Sequence, residues 1–144
     1  MNVNTKKNVR RRLLREASED EVGLWLVARW VQAASGSETA LRKRTLDLVG
    51  AMLRDGLIQA GHPDPEQERF AAWPLTAREA VERMKREWKA LGRRPKLGEI
   101  AWFATTERGE QAARRSAMTE QRRSAITSGD RSSVGEGESK ECRE

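Results

Sequence analysis

Between positions 22 and 34 the chain is apolar almost throughout (Val22, Leu24, Trp25, Leu26, Val27, Ala28, Trp30, Val31, Ala33, Ala34), and Arg29 and Gln32 are the interruptions. Ser18 and Glu21 upstream have the spacing of a capping box, and Glu19, Asp20 and Glu21 put negative charge where a helix dipole favours it. The pattern predicts a helix entered at Ser18, apolar on nearly all sides. Such a helix is either central in a core or shared with a second subunit, and a homodimer is the expectation. After Ser35-Gly36-Ser37, the residues Leu41, Thr45, Leu48, Val49, Met52 and Leu53 recur at helical spacing, predicting a second helix over 38–55 that ends at Gly56. Its opposite face carries Lys43, Arg44, Asp47, Gly50, Ala51 and Arg54.

Leu57, Ile58 and Ala60 read as a short strand, and the proline- and charge-rich stretch 61–69 as an exposed acidic loop, with His62 solvated in it. Thr76 and Glu79 form another capping box, followed by an apolar stripe of Ala77, Ala80, Val81, Met84, Trp88 and Leu91 and a Gly92 C-cap: a third helix. Arg93-Arg94-Pro95-Lys96 is a basic turn. Ile100 to Ala104 are bulky and predict a second strand, and Thr106 caps a last helix running toward Met118. The fold class expected is mainly α with a small β-hairpin.

Charge changes the picture only when it is divided along the chain. The 144 residues carry a formal +6. Residues 1–15 hold Lys6, Lys7, Arg10, Arg11, Arg12 and Arg15 and no acid, while 16–110 sum to −1 and 111–144 to +1. Residues 1–17 therefore read as a basic arm able to neutralise phosphates without reading bases. Residues 119–144, rich in Ser and Gly, lack the apolar surface to offset chain entropy and read as a disordered tail. That leaves 18–118 as the folded domain. Arginine-rich, alanine-rich usage points to a bacterial source. No apolar run is long enough to span a bilayer and no secretory signal opens the chain. With a single cysteine, Cys142, these features predict a cytoplasmic protein without a membrane partner. No nucleophile elbow, zinc spacing or phosphate loop is present, so no enzyme, metal or cofactor is expected.

Two stretches together resemble bacterial winged-helix regulators: Leu53-Arg54-Asp55-Gly56-Leu57-Ile58, leading from a recognition helix into a wing strand, and Thr106-Glu107-Arg108-Gly109 after the last strand. The opening Glu21-Val22-Gly23-Leu24-Trp25 is also similar to that of a set of small uncharacterised bacterial proteins. The resemblance implies a winged-helix-like domain with a helix inserted in the wing, and the separate middle helix of a helix-turn-helix missing or fused into 38–55. It implies double-stranded DNA or a DNA-bound protein as partner, with Lys6, Lys7, Arg10, Arg11 and Arg12 of the arm at phosphates, Lys43, Arg44 and Arg54 nearest the bases, and Arg93 and Arg94 as further candidate contacts. The alternative is an antidote-like or immunity-like module whose partner is a protein.

Overall fold

A computed structural model describes residues 3–32 and 36–132. The first element is a helix, α1 (Val3–Glu19), where the sequence predicts an arm. Val9, Leu13, Leu14 and Ala17 recur along one side of it and are all buried. This apolar stripe is narrow and set among six cations, which is why charge dominates the sequence reading. No helix begins at Ser18. The Ser18 hydroxyl donates to the Arg15 carbonyl at 2.7 Å, and the Asp20 carboxylate accepts from the Glu21 N–H at 2.8 Å, so these residues close α1.

The long apolar run is then divided into a two-residue strand, β1 (Val22–Gly23), and α2 (Leu24–Gln32). Gly23 explains the break: a Cβ there would overlap the Trp25 ring, so the close turn of the chain requires glycine. Leu24, Val27, Ala28 and Val31 of α2 are buried, and Arg12 of α1 stacks over the Trp30 ring at 4.4 Å. Helix α2 packs against both α3 and α1 of the same chain.

Helix α3 (Glu38–Arg54) begins as expected, with the Ser37 hydroxyl accepting from the Ala40 N–H. Strand β2 (Ile58–Asp64) starts where a short strand is predicted but continues into the stretch 61–69 read as a loop, and with β3 (Arg69–Ala72) it forms a hairpin there. Pro63 is tolerated because β2 pairs with the next strand only through Gly61; beyond it Pro63 has a neighbour on one side alone, Phe70 of β3. Helix α4 (Ala77–Leu91) has the predicted Thr76/Glu79 capping box and a left-handed Gly92 C-cap. Strand β4 (Trp102–Thr105) starts later than predicted, since Ile100 has φ 71° within a tight turn closed by the Ala101 N–H on the Glu99 carbonyl at 2.9 Å. The four strands form one antiparallel sheet, β1-β4-β2-β3.

Helix α5 (Glu107–Ser132) is capped by Thr106 as expected, and its backbone continues to Ser132 through the first part of the segment read as a disordered tail. Residues 133–144 of that segment lie outside the described residues. The chain divides into two compact units, one ending at Ala113 and one beginning at Arg114. In the first, Phe103, Leu13, Leu14, Leu24, Leu41, Leu48, Met52 and Met84 are fully buried. In the second, residues 114–132 are helical, and the Thr119 hydroxyl donates to the Arg115 carbonyl. The protein is mainly helical with a small sheet.

Candidate functional site

The residues that sequence reasoning placed at DNA lie on three elements. On α1, Lys7, Arg11 and Arg15 recur at four-residue spacing away from the buried Val9, Leu13 and Ala17; Lys7 and Arg15 are exposed and Arg11 is half-buried, with Lys6, Arg10 and Arg12 exposed beside them. At 1.5 Å rise per residue, successive cations in that row stand about 6 Å apart along the axis. Glu16 lies 3.9 Å from Arg15, and Arg12 is engaged with Trp30. Because the apolar side of α1 is consumed by the core, only its basic side remains for a ligand.

The second group is on α3. Lys43 and Arg54 are exposed and Arg44 is half-buried. Asp47 sits within this face and its carboxylate accepts from Lys43 Nζ at 3.0 Å. Gly50, expected on the open face, is buried: α4 crosses beside it, and a Cβ there would lie 3.1 Å from a Val81 methyl. The inserted helix therefore borders the face that the resemblance assigns to bases, and α3 and α4 together line a groove containing Arg42, Lys43, Asp47, Glu82, Lys85 and Lys89.

The third group is the turn after α4. Arg93 forks onto Glu99, Nη1 to Oε1 at 2.8 Å and Nη2 to Oε2 at 2.9 Å, while the Lys96 N–H donates to the same carboxylate. These bonds, the arginine fork first and then the backbone donor, hold the Glu99 carboxyl down at about 2. Arg94 reaches Glu38 at the start of α3, with Nε 3.6 Å from Oε2. The turn faces Trp25, Ala28, Arg29 and Gln32 of α2 across an open groove of about 580 Å³. Leu97 lines it and is 79% exposed. Sequence reasoning missed this groove, although Arg29 and Gln32 were the two polar interruptions of an apolar helix and both line it.

His62 is on β2 and tied on both sides. The Trp73 indole N–H donates to Nδ1 at 3.0 Å, so Nε2 carries the proton and donates to the Ile100 carbonyl at 3.2 Å. Arg83 of α4 stacks over Trp73 at 4.0 Å and is itself paired with Glu87. This chain of contacts joins the hairpin, α4 and the turn before β4. The expectation of a solvated loop histidine is corrected by these partners.

The two sequence stretches that carry the winged-helix resemblance touch each other. The Thr106 hydroxyl donates to the Gly56 carbonyl at 2.6 Å and accepts from the Gly109 N–H at 3.0 Å. The Thr106 N–H donates to the Leu57 carbonyl at 3.3 Å, Arg108 Nη1 donates to the Asp55 carbonyl at 2.8 Å, and a Cβ on Gly109 would overlap the Leu57 carbonyl. Among the described residues no cluster of three or more His, Cys, Asp and Glu could hold a metal ion, and no helix is long and apolar enough to cross a membrane. No known protein family, curated protein or solved structure matches the chain.

Proposed function

We propose that the chain is a small winged-helix-like module that binds double-stranded DNA. For the fold, the reading is supported by the order of elements. A first helix and a short strand precede two consecutive helices, and β1, β4 and β2 lie side by side in the sheet. With α1 supplying the first helix, α2 and α3 are the helix-turn-helix pair, and no middle helix is lacking. The hairpin strand β3 and helix α4 are the insertion in the wing.

For the function, the observation that carries the reading is the outward basic row of α1, whose apolar side is already buried. An amphipathic helix that inserts into a lipid surface needs its apolar face free, so a helix whose apolar side is buried and whose remaining surface is predominantly basic suits phosphates better than a membrane. Lys43, Arg44 and Arg54 on α3 are then the groups nearest the bases. The protein-partner alternative is favoured by the Lys43–Asp47 pair and by α4 bordering that face, since both oppose approach of a duplex.

A gel-shift salt titration separates the two. If Lys7, Arg11 and Arg15 each neutralise a phosphate, replacing them with glutamine flattens the plot of log affinity against log salt by up to ~0.9 per lost contact while sequence preference stays. Arg54→Ala should do the reverse, relaxing discrimination by ~1 to 3 kcal/mol with little change in slope. Absence of duplex binding by the intact protein at low salt would sink the DNA reading.

A further inference from the structure

We infer that the groove between α2 and the turn 93–97 is a docking site for an acidic peptide segment bearing aliphatic anchors, supplied by a partner protein. The inference does not rest on the α1 row or the α3 face that carry the DNA reading; it shares with the DNA candidates only Arg93 and Arg94, which are already paired with Glu99 and Glu38.

The groove's lining combines two chemistries. Ala28, Pro95 and Leu97, with part of Trp25, give it aliphatic and aromatic surface, and Arg29, Arg93, Arg94 and Lys96 surround that surface with positive charge. Among the described residues no carboxylate is in the lining. Glu99 and Glu38 approach Arg93 and Arg94 from outside it, and the Arg93 fork serves to hold the turn in shape. Arg29 and Lys96 are exposed on opposite sides of the groove, one on the helix and one on the turn. A ligand lying between them meets both cations without first displacing the Arg93–Glu99 pair. Pro95 is buried, which fixes the turn further and lowers the ordering cost of binding.

Leu97 chooses the class of ligand. It is the most exposed large apolar side chain among the described residues, and it stands at the groove rather than over the core. A base-stacking site instead requires an open aromatic face. The ring of Trp25 is packed edge-on to Trp102, with centroids 4.7 Å apart, and rests on Gly23. Aliphatic walls with flanking cations match a peptide in which leucine-like residues alternate with Asp and Glu. The groove is open, which suits an extended segment of chain and not an enclosed small molecule.

The test is fluorescence anisotropy on the full chain with a short labelled peptide of Asp and Glu around two leucines, against a sister peptide in which every acid is its amide. The acidic peptide should bind at low salt and the sister on the order of tenfold more weakly or worse, as loss of charge-assisted hydrogen bonds implies. Arg29→Gln and Lys96→Gln should each weaken the acidic peptide several-fold, and Leu97→Ser should weaken it comparably. All three positions are exposed, so the fold should survive, and circular dichroism checks that it does. Arg78→Gln on the outer side of α4 should change nothing, nor should Lys7→Gln on α1, which keeps this test independent of DNA binding. Equal binding of the amide sister, no binding of the acidic peptide at low salt, or indifference to the three groove substitutions would overturn the proposal. So would a DNA oligonucleotide that displaces the peptide and itself loses affinity in Arg29→Gln, since it would assign the groove to nucleic acid.

Discussion

At Gly109 a single added methyl group decides whether two parts of the chain can meet, because the space a Cβ would take is filled by the Leu57 carbonyl. Gly109→Ala should therefore cost about 1 to 3 kcal/mol, the range for overpacking a tight site, and each kcal/mol lowers Tm by roughly 4 to 8 °C in a domain of this size. Gly36→Ala is the control: nothing lies within 4 Å of its Cβ position, and its Tm should stay within the scatter of surface substitutions. Thr45 gives the opposite sign. It is fully buried in α3, and its hydroxyl has no hydrogen-bond partner among the described residues, so the fold bears an uncompensated desolvation cost. Thr45→Val keeps the shape and removes the orphan, and should stabilise by about 1 kcal/mol in chemical denaturation. Glu99 tests the turn. Its carboxyl is held at about 2, below the ordinary 4.5, so the carboxylate favours the folded form. That contribution is complete above the ordinary value and is lost as pH falls toward 2. Resonance titration of Glu99 should show the low midpoint, and Arg93→Gln should move it up toward the ordinary value.

Among the elements, α1 is the one that sequence reasoning misplaced, and the mistake has a physical origin. Four apolar positions in a stretch with six cations read as a solvated arm when judged by composition, yet Val9, Leu13 and Ala17 repeat every four residues and need nothing more to build a buried stripe. Three capped helices were legible, although the capping-box spacing at Ser18 and Glu21 marks the end of α1 and not a helix start. The Ser37 cap of α3, the Thr76/Glu79 box and Gly92 end of α4, and the Thr106 cap of α5 all use local chemistry that the sequence displays directly. The hairpin β2–β3 was hidden because its prolines are acceptable only where β2 outruns β4, which is a fact of sheet register. The groove at Trp25 was hidden for a similar reason, since its two walls are about seventy residues apart in sequence and only the tertiary fold joins them. The consequence for α1 is measurable. Deleting residues 1–15 would remove Val9, Leu13 and Leu14 from the core, about 5 to 9 kcal/mol by side-chain burial, comparable with the whole stability of a small domain. The shortened protein should be unfolded by circular dichroism, whereas glutamine at the exposed Lys7 and Arg15 should keep the native melting curve.

On the scale of the whole molecule, the buried apolar residues run from Val9 to Phe103, and the partly buried ones packed against them end at Ala112 and Ala113. The first compact unit closes at the same place. Beyond it the described side chains of α5 are mostly exposed, Met118 among them. Helical backbone without a buried face gains little, because most helical stability in proteins comes from tertiary packing of an amphipathic face. The cooperative unit that melts should therefore be the first one. A chain ending at residue 118 keeps the Thr106 cap, the Arg108 contact with Asp55 and the packing of Ala112 and Ala113, and should show the same Tm as the full chain to within about 2 °C, a small surface-level change. Far-ultraviolet ellipticity per molecule should fall in the shortened chain as the removed helical residues are lost, without a shift in the transition. A drop in Tm of several degrees would mean that residues past 118 contribute buried contacts, and the boundary of the folding unit would have to move toward the C-terminus.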